Sequence, residues 1–234
     1  MMNTLMDLDT QKRAAGVKAS EYVCDGMVVG LGTGSTAKHL ILTLGERVRS
    51  GLKIHGVATS RETADLATRE GIPLLESDNA WSIDVAIDGA DQVDPHFNLV
   101  KGGGGALLKE KIVAAAAKQF IVMVDHTKLV SSLGGSFPLP IEVVPFGWGS
   151  TARQIESLSG GKTILRERNG QVFHTEAGHV ILDLHLPKID DPTALEATLN
   201  QIPGIVETGL FVGRTSLLII GTPKGVETRS ATRM

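Results

Sequence analysis

Three acids and a lysine lie close together in the middle of the chain: Asp88 and Asp91 in Asp88-Gly89-Ala90-Asp91, Lys101 in Lys101-Gly102-Gly103-Gly104-Gly105, and Glu110 in Lys109-Glu110-Lys111. Carboxylates move protons, and a cation stabilises the oxyanion that forms when a proton leaves a carbon beside a carbonyl. Each group also has an ordinary explanation. Asp and Gly are common in turns for backbone reasons alone. Glu110 taken alone reads first as a solvated helix residue between two lysines, and as a candidate base only when taken with its surroundings. The run of four glycines is harder to explain that way, because it is entropically costly. What it gains is a backbone that approaches a ligand closely with its N–H groups aimed at it, and Lys101 places a cation at the mouth of that loop.

Upstream, Gly30-Leu31-Gly32-Thr33-Gly34-Ser35-Thr36 follows a short apolar run. A glycine turn between a strand and a helix gathers backbone N–H groups at the positive end of the helix, which makes an anion site. The hydroxyls of Thr33, Ser35 and Thr36 add donors. The plain alternative is a tight turn followed by an N-cap serine. A dinucleotide site fails two tests: its third glycine falls on Ser35, and the next strand ends in Thr59-Ser60-Arg61 with no ribose-binding acid. The Gly-Lys-Ser/Thr ending of a nucleotide P-loop is also missing. A single phosphate on a small ligand fits better than a nucleotide.

The elements that must carry these groups follow from hydrophobic spacing. Thr10 is expected to cap a helix from Gln11 to Val23. Strands are expected at Met27 to Leu31, Ile54 to Ala58, Ile72 to Leu75, Ile83 to Ile87 and Phe120 to Val124. Helices are expected at Ser35 to Val48, from a Thr59–Glu62 capping box to about Glu70, and at Leu107 to Lys118. Alternating strands and helices imply a doubly wound, mostly parallel, Rossmann-like α/β sheet, with Asp88 and Asp91 just past a strand's carboxyl end, where such sheets bind ligands.

After Ser131 the pattern changes, marked by Gly134, Gly135, Pro138 and Pro140. A strand (Ile141 to Val144), a helix (Gly149 to Leu158), strands near Thr163 to Arg166 and Val180 to Leu184, a helix after Pro192 and a strand from Ile205 give a β-α-β-β-α-β order. That order suits a smaller ferredoxin-like α+β domain. Ser216 to Ile220 is expected to return to the first sheet. The chain thus divides into 1–132 plus 207–234, a catalytic Rossmann-like domain, and 133–206, an α+β lid.

Composition narrows the function. The 234 residues are 42% hydrophobic but only 4% aromatic, with 27 glycines and a net charge of −3. The core must come from Val, Ile, Leu and Ala. Nothing in the charge suggests a nucleic-acid partner, and Arg229 to Arg233 reads as a solvated tail. Cys24 is alone, expected as a partly buried thiol on a helical pattern. Residues 1–13 do not read as a signal peptide, and no apolar run reaches a membrane span, so a cytoplasmic setting is expected. Of seven histidines only Asp183-Leu184-His185 has ligand-like spacing, which strand alternation explains as well; no metal and no cofactor are expected.

Taken in order, Gly32-Thr33-Gly34-Ser35-Thr36, Asp88-Gly89-Ala90-Asp91 and Lys101-Gly102-Gly103-Gly104 resemble the type A ribose-5-phosphate isomerases. Glu110-Lys111-Ile112 is similar to that family's catalytic helix. Asp125 to Lys128 resembles its lysine turn, with Thr127 where Ser is expected. Phe137 to Val143 resembles the entry to the lid, and Pro203 to Val206 with Gly209-Leu210-Phe211 resembles the return. The resemblance covers nearly the whole chain. It departs at Gln92, where an acid is common, and at Leu108, where Thr is common; from Glu227 onward nothing matches.

The resemblance implies a metal-independent aldose–ketose isomerase acting on ribose 5-phosphate in the pentose phosphate pathway, working as a homodimer. It implies Glu110 as the base between C2 and C1, Asp88 in ring opening, Asp91 on substrate hydroxyls and Lys101 on the enediolate oxyanion. Thr33, Gly34, Ser35 and Thr36, with Gly89, Ala90, the Gly102, Gly103 and Gly104 amides and Lys128, complete the substrate pocket. Two rivals stand beside it: a related sugar-phosphate isomerase or deaminase, and a non-catalytic sugar-phosphate sensor. A sensor of that kind is expected to carry a DNA-binding segment, for which the residues before the first motif leave no room.

Overall fold

The computed structural model describes residues 5–76 and 80–231. The chain opens with α1 (Leu8–Ser20), β1 (Val28–Leu31), α2 (Ser35–Arg49), β2 (His55–Ala58), α3 (Arg61–Arg69) and β3 (Ile83–Asp88). Two short strands follow, β4 (Gln92–Val93) and β5 (Leu99–Val100), then α4 (Leu107–Ala116) and β6 (Ala117–Asp125). Next come β7 (Leu139–Val143), α5 (Trp148–Ser159), β8 (Lys162–Leu165), the hairpin strands β9 (Glu167–Arg168) and β10 (Gln171–Val172), and β11 (Val180–His185). The chain closes with α6 (Pro192–Leu199), β12 (Ile205–Thr208), β13 (Leu210–Phe211), β14 (Leu217–Thr222) and β15 (Gly225–Ser230).

The described residues form two compact units. The first holds residues up to Ala90, Lys109–Leu129 and those from Arg214 onward. Its sheet has the order β15-β14-β6-β3-β1-β2. All neighbours are parallel except β15, which runs antiparallel on β14. Strands covered on both faces need continuous apolar runs. β1, β3 and β6 supply Val29, Leu31, Val85, Ile87, Ile121 and Met123, all buried against Leu40, Ile41 and Leu44 of α2. This is the expected α/β sheet, with the return strand where it was expected.

Local signals placed some boundaries differently. Asp7, not Thr10, caps α1: its carboxylate accepts the Thr10 N–H at 2.7 Å, so the helix starts earlier. Ser60 rather than Thr59 caps α3, accepting the Thr63 N–H at 3.1 Å, while the Thr59 hydroxyl donates to the Leu31 carbonyl. The expected strand at Ile72 to Leu75 is reduced to a single bridge between Gly56 and Leu74. Cys24 lies past the end of α1 and is exposed, not partly buried. The supposed tail begins inside the edge strand β15, where Arg229 pairs with Leu218 and which ends at Ser230; residues 232–234 lie outside the described ones.

The second unit holds Asp91–Leu108 and Val130–Gly213. Its antiparallel four-stranded sheet has the order β12-β7-β11-β8. With α5 between β7 and β8 and α6 between β11 and β12, this is the expected ferredoxin-like α+β arrangement. Leu139, Ile141, Val143, Leu182 and Leu184 alternate into its core against Ile155 and Leu199. The grouping read from sequence had put Asp91–Leu108 with the first domain. In the structure β5 pairs with both β4 and β13, which ties this segment to the second unit. Gln92, the family departure, donates to the Gly134 carbonyl and accepts its N–H, each at 2.8 Å. A carboxylate could not do both.

Candidate active site

In the first unit the candidate groups lie at the carboxyl ends of the parallel strands. β1 and β3 are in register, Leu31 beside Ile87, so the turn after β1 and the acid ending β3 are neighbours. Gly32 is needed for that approach: a Cβ there would fall 2.1 Å from Asp88 Oδ1. Asp88 is 3% exposed, and its Oδ1 accepts the N–H of Thr33 at 3.1 Å and of Gly89 at 2.7 Å.

The Thr33 hydroxyl is turned toward the start of α3. It lies 2.7 Å from the Thr59 hydroxyl and 2.8 Å from that of Ser60, to which it donates. Gly34 caps α2 with φ of 107° and no side-chain cap, and Ser35 is the first helical residue. The N-cap-serine explanation of this turn therefore fails. The amide end of α2 opens at exposed Gly34 and Ser35, with Thr36 buried behind them. An uncapped helix start with small residues is where an anion finds N–H donors and a favourable dipole.

Glu110 sits in the first turn of α4 and is only 6% exposed, so it is not the solvated helix residue that its lysine neighbours suggested. α4 lies close on the sheet because β1 carries Gly30, where a Cβ would meet the Val113 side chain at 2.5 Å. Burial of a carboxylate is costly in itself, so a position that keeps one is a candidate for chemistry. Half-buried Lys128 ends a 3₁₀ turn, His126–Lys128, directly after β6. Asp125 caps that turn, accepting both the N–H and the hydroxyl of Thr127, which does the work expected of Ser there.

The second unit holds the lysine–glycine segment. Lys101 is 3% exposed, its N–H donates to the Gly209 carbonyl at 2.8 Å, and its ammonium lies 5.4 Å from the centre of the Phe211 ring. The four glycines are not equivalent. Gly102 (φ 103°) and Gly105 (φ 90°) have left-handed backbones that favour glycine. Gly103 donates its N–H to Asp91 Oδ2 at 2.8 Å, and a Cβ on it would lie 2.9 Å from Asp91 Oδ1. Gly104 is exposed with open space around it.

Asp91 is thus tied to the glycine loop by direct contact, a link that spacing alone did not reveal. Sequence reasoning also passed over Arg166, which contacts the same loop. A lone arginine that holds two carbonyls of a distant loop leaves no pattern to find. Asp183 drew notice only for its spacing to His185; its carboxylate pairs with Arg166, and His185 is exposed. Among the described residues, no group of three or more His, Cys, Asp and Glu is placed to hold a metal ion, and no helix is long and apolar enough to cross a membrane.

A family model for ribose 5-phosphate isomerase A (phosphoriboisomerase A) matches residues 55–225. A Bradyrhizobium diazoefficiens protein named ribose-5-phosphate isomerase A is 50% identical over 231 residues, covering 94% of this chain and 95% of its own. The ribose 5-phosphate isomerase of Plasmodium falciparum matches with a TM-score of 0.93 at 33% identity, over 97% of this chain and 100% of that one. A D-ribose-5-phosphate isomerase structure in complex with phospho-erythronic acid matches with a TM-score of 0.92 at 41% identity, over 96% and 100%. With most of its length matched by the family model and half of its residues shared with a full-length relative, this chain belongs to the ribose 5-phosphate isomerase A family.

Proposed function

We propose that the chain interconverts D-ribose 5-phosphate and D-ribulose 5-phosphate through an enediolate, without a metal. Family membership supports the substrate. The observation that carries the chemistry is the burial of three charged groups, Asp88, Lys101 and Glu110, at 3%, 3% and 6% exposure. Charged side chains are almost never fully buried unless paired, and these three match the segments that carry the family resemblance.

In this reading Asp88 assists ring opening of the sugar. Glu110 then takes the proton from C2 of the open aldose. The C2–H electron pair forms the C1–C2 double bond, and the C1 carbonyl becomes an oxyanion stabilised by Lys101. Glu110 returns its proton to C1, and the O2–H proton passes to the O1 oxyanion as the C2 carbonyl forms, which leaves a hydroxymethyl group at C1. Asp91 holds substrate hydroxyls. Thr33 to Thr36, Gly89, Ala90, the Gly102 to Gly104 amides and Lys128 line the pocket, and the open start of α2 supports a phosphate there. Phosphate binding at a distance from C2 contributes orientation to the proton transfer.

The chain is also proposed to act in the cytoplasm as a homodimer. The test is ketose formation from ribose 5-phosphate in the presence of a chelator. Turnover that survives chelation supports the proposal. Loss of turnover with chelator, restored by a divalent ion, contradicts it, as does failure to turn over ribose 5-phosphate at all.

A further inference from the structure

The geometry points to Arg166 as a positioning residue that, clamped by Asp183, orients the glycine loop so that the Gly103 amide holds Asp91 and the Gly104 amide faces the substrate. This rests on the reading above, in which Lys101 stabilises the oxyanion and the Gly102 to Gly104 amides line the pocket.

Arg166 directly follows β8 and is held at both backbone ends. Its N–H donates to the Ile181 carbonyl at 2.8 Å, and its carbonyl accepts the Phe173 N–H at 2.9 Å. The side chain is 12% exposed and all three of its nitrogens are committed. Nε donates to Asp183 Oδ2 at 2.8 Å and one terminal nitrogen donates to Oδ1 at 2.5 Å, a two-pronged pair. The other terminal nitrogen donates to the Gly102 carbonyl at 2.7 Å and the Gly103 carbonyl at 3.3 Å. Asp183 therefore sets the plane of the guanidinium, and the guanidinium sets the direction of two successive carbonyls.

A trans peptide is planar, and its N–H points opposite to its C=O. Fixing the Gly102 carbonyl on Arg166 sends the Gly103 N–H the other way, and that N–H indeed meets Asp91 at 2.8 Å. Fixing the Gly103 carbonyl directs the Gly104 N–H away from Arg166 in the same manner. Gly104 is exposed and faces open space. The Gly103 N–H is taken up by the Asp91 carboxylate, so the Gly104 N–H is the amide of this stretch that the clamp directs toward a substrate oxygen. Without the clamp, glycine peptides can flip at little steric cost.

The hairpin after Arg166 braces the loop's far end. Phe173 packs where a Cβ on Gly105 would sit, 2.5 Å away, and the Arg168 guanidinium stacks 4.5 Å from the Phe173 ring centre. Lysine cannot replace Arg166, because an ammonium is a point donor without the planar fork needed to hold a carboxylate and two carbonyls together.

The test compares kcat, KM and Tm for Arg166→Lys, Asp183→Asn and Lys101→Met with ribose 5-phosphate. Removal of one oxyanion donor costs on the order of 10²–10³ in kcat, so misdirecting the loop amides is expected to lower kcat by about 10- to 100-fold. KM should stay within about threefold and Tm within a few degrees in Arg166→Lys. Asp183→Asn keeps the volume and should show the same split more weakly, which keeps the inference testable if Arg166→Lys folds poorly. Wild-type kcat in Arg166→Lys and Asp183→Asn, together with a large loss in Lys101→Met, overturns the positioning role while leaving the loop's role intact. Wild-type kcat in Lys101→Met overturns the underlying reading, and this inference with it. A fall in kcat that only tracks a fall in Tm also overturns it.

Discussion

Asp88 accepts the backbone N–H of Thr33 at 3.1 Å, so the acid that ends β3 and the glycine turn that ends β1 form one rigid piece. Asp88 lies directly over the Cα of Gly32, and the Thr33 hydroxyl is held in turn by Ser60 and Thr59. The acid proposed to act on the sugar is thereby fixed by the turn proposed to hold that sugar's phosphate.

Gly32→Ala should break this piece. The new Cβ would lie 2.2 Å from Asp88 Cγ and 2.7 Å from its Cα, so backbone as well as side chain must move. Overpacking of this kind costs about 1–3 kcal/mol, and the displaced Asp88 should lower kcat/KM at least about tenfold. Thermal unfolding and steady-state assays on the purified variant check both. Wild-type values for the two would mean that the close approach carries no constraint.

Asp84 offers a test of stability rather than activity. Its carboxylate accepts from Lys118 Nζ at 2.7 Å and from the Val28 N–H at 2.9 Å, and these bonds, the lysine first, hold its pKa below the usual value. A depressed folded-state pKa adds stability that is present above the unfolded pKa and lost as pH falls through the folded one. Asp84→Asn should lower Tm by a few degrees near neutral pH, on the order of 1 kcal/mol for one such hydrogen-bonded group. The gap from wild type should close below about pH 4. An equal gap at pH 7 and pH 3 would show that the charge is not what stabilises the contact.

Ribose without its phosphate should be a poor substrate. If the open N-terminus of α2 and Lys128 supply even two charge-assisted bonds to phosphate, their loss lowers kcat/KM on the order of 10²–10⁴-fold. Competition of the two sugars in one assay, with ketose measured for each, gives the ratio. Comparable kcat/KM values would remove phosphate recognition from the account.

The sequence carried the parallel strands and the chemistry-bearing loops well, because Val29, Val85 and Ile121 sit in apolar runs and the glycine turns stand beside polar residues. It carried short-range choices poorly. Thr10 and Asp7 are both good caps, and only the contact of Asp7 with the Thr10 N–H decides between them. The two-residue strands β4, β5 and β13 have no period to read, and they moved Asp91–Leu108 to the second unit. β15 is almost wholly exposed, so it lacks the alternation that marks a half-buried strand. The burial of Glu110 was also hidden, because Lys109 and Lys111 imitate a solvated face while Lys111 is itself buried.

The central claim is that Glu110 is the base that moves the proton, and Glu110→Gln tests it most directly. Glutamine keeps the size of the buried side chain but cannot take a proton from carbon. Loss of a general base costs on the order of 10²–10⁴ in rate. The account predicts a fall in kcat of at least that size for ribose 5-phosphate, with KM changed little and Tm close to wild type. A variant that folds normally and keeps kcat within a few-fold of wild type would contradict it.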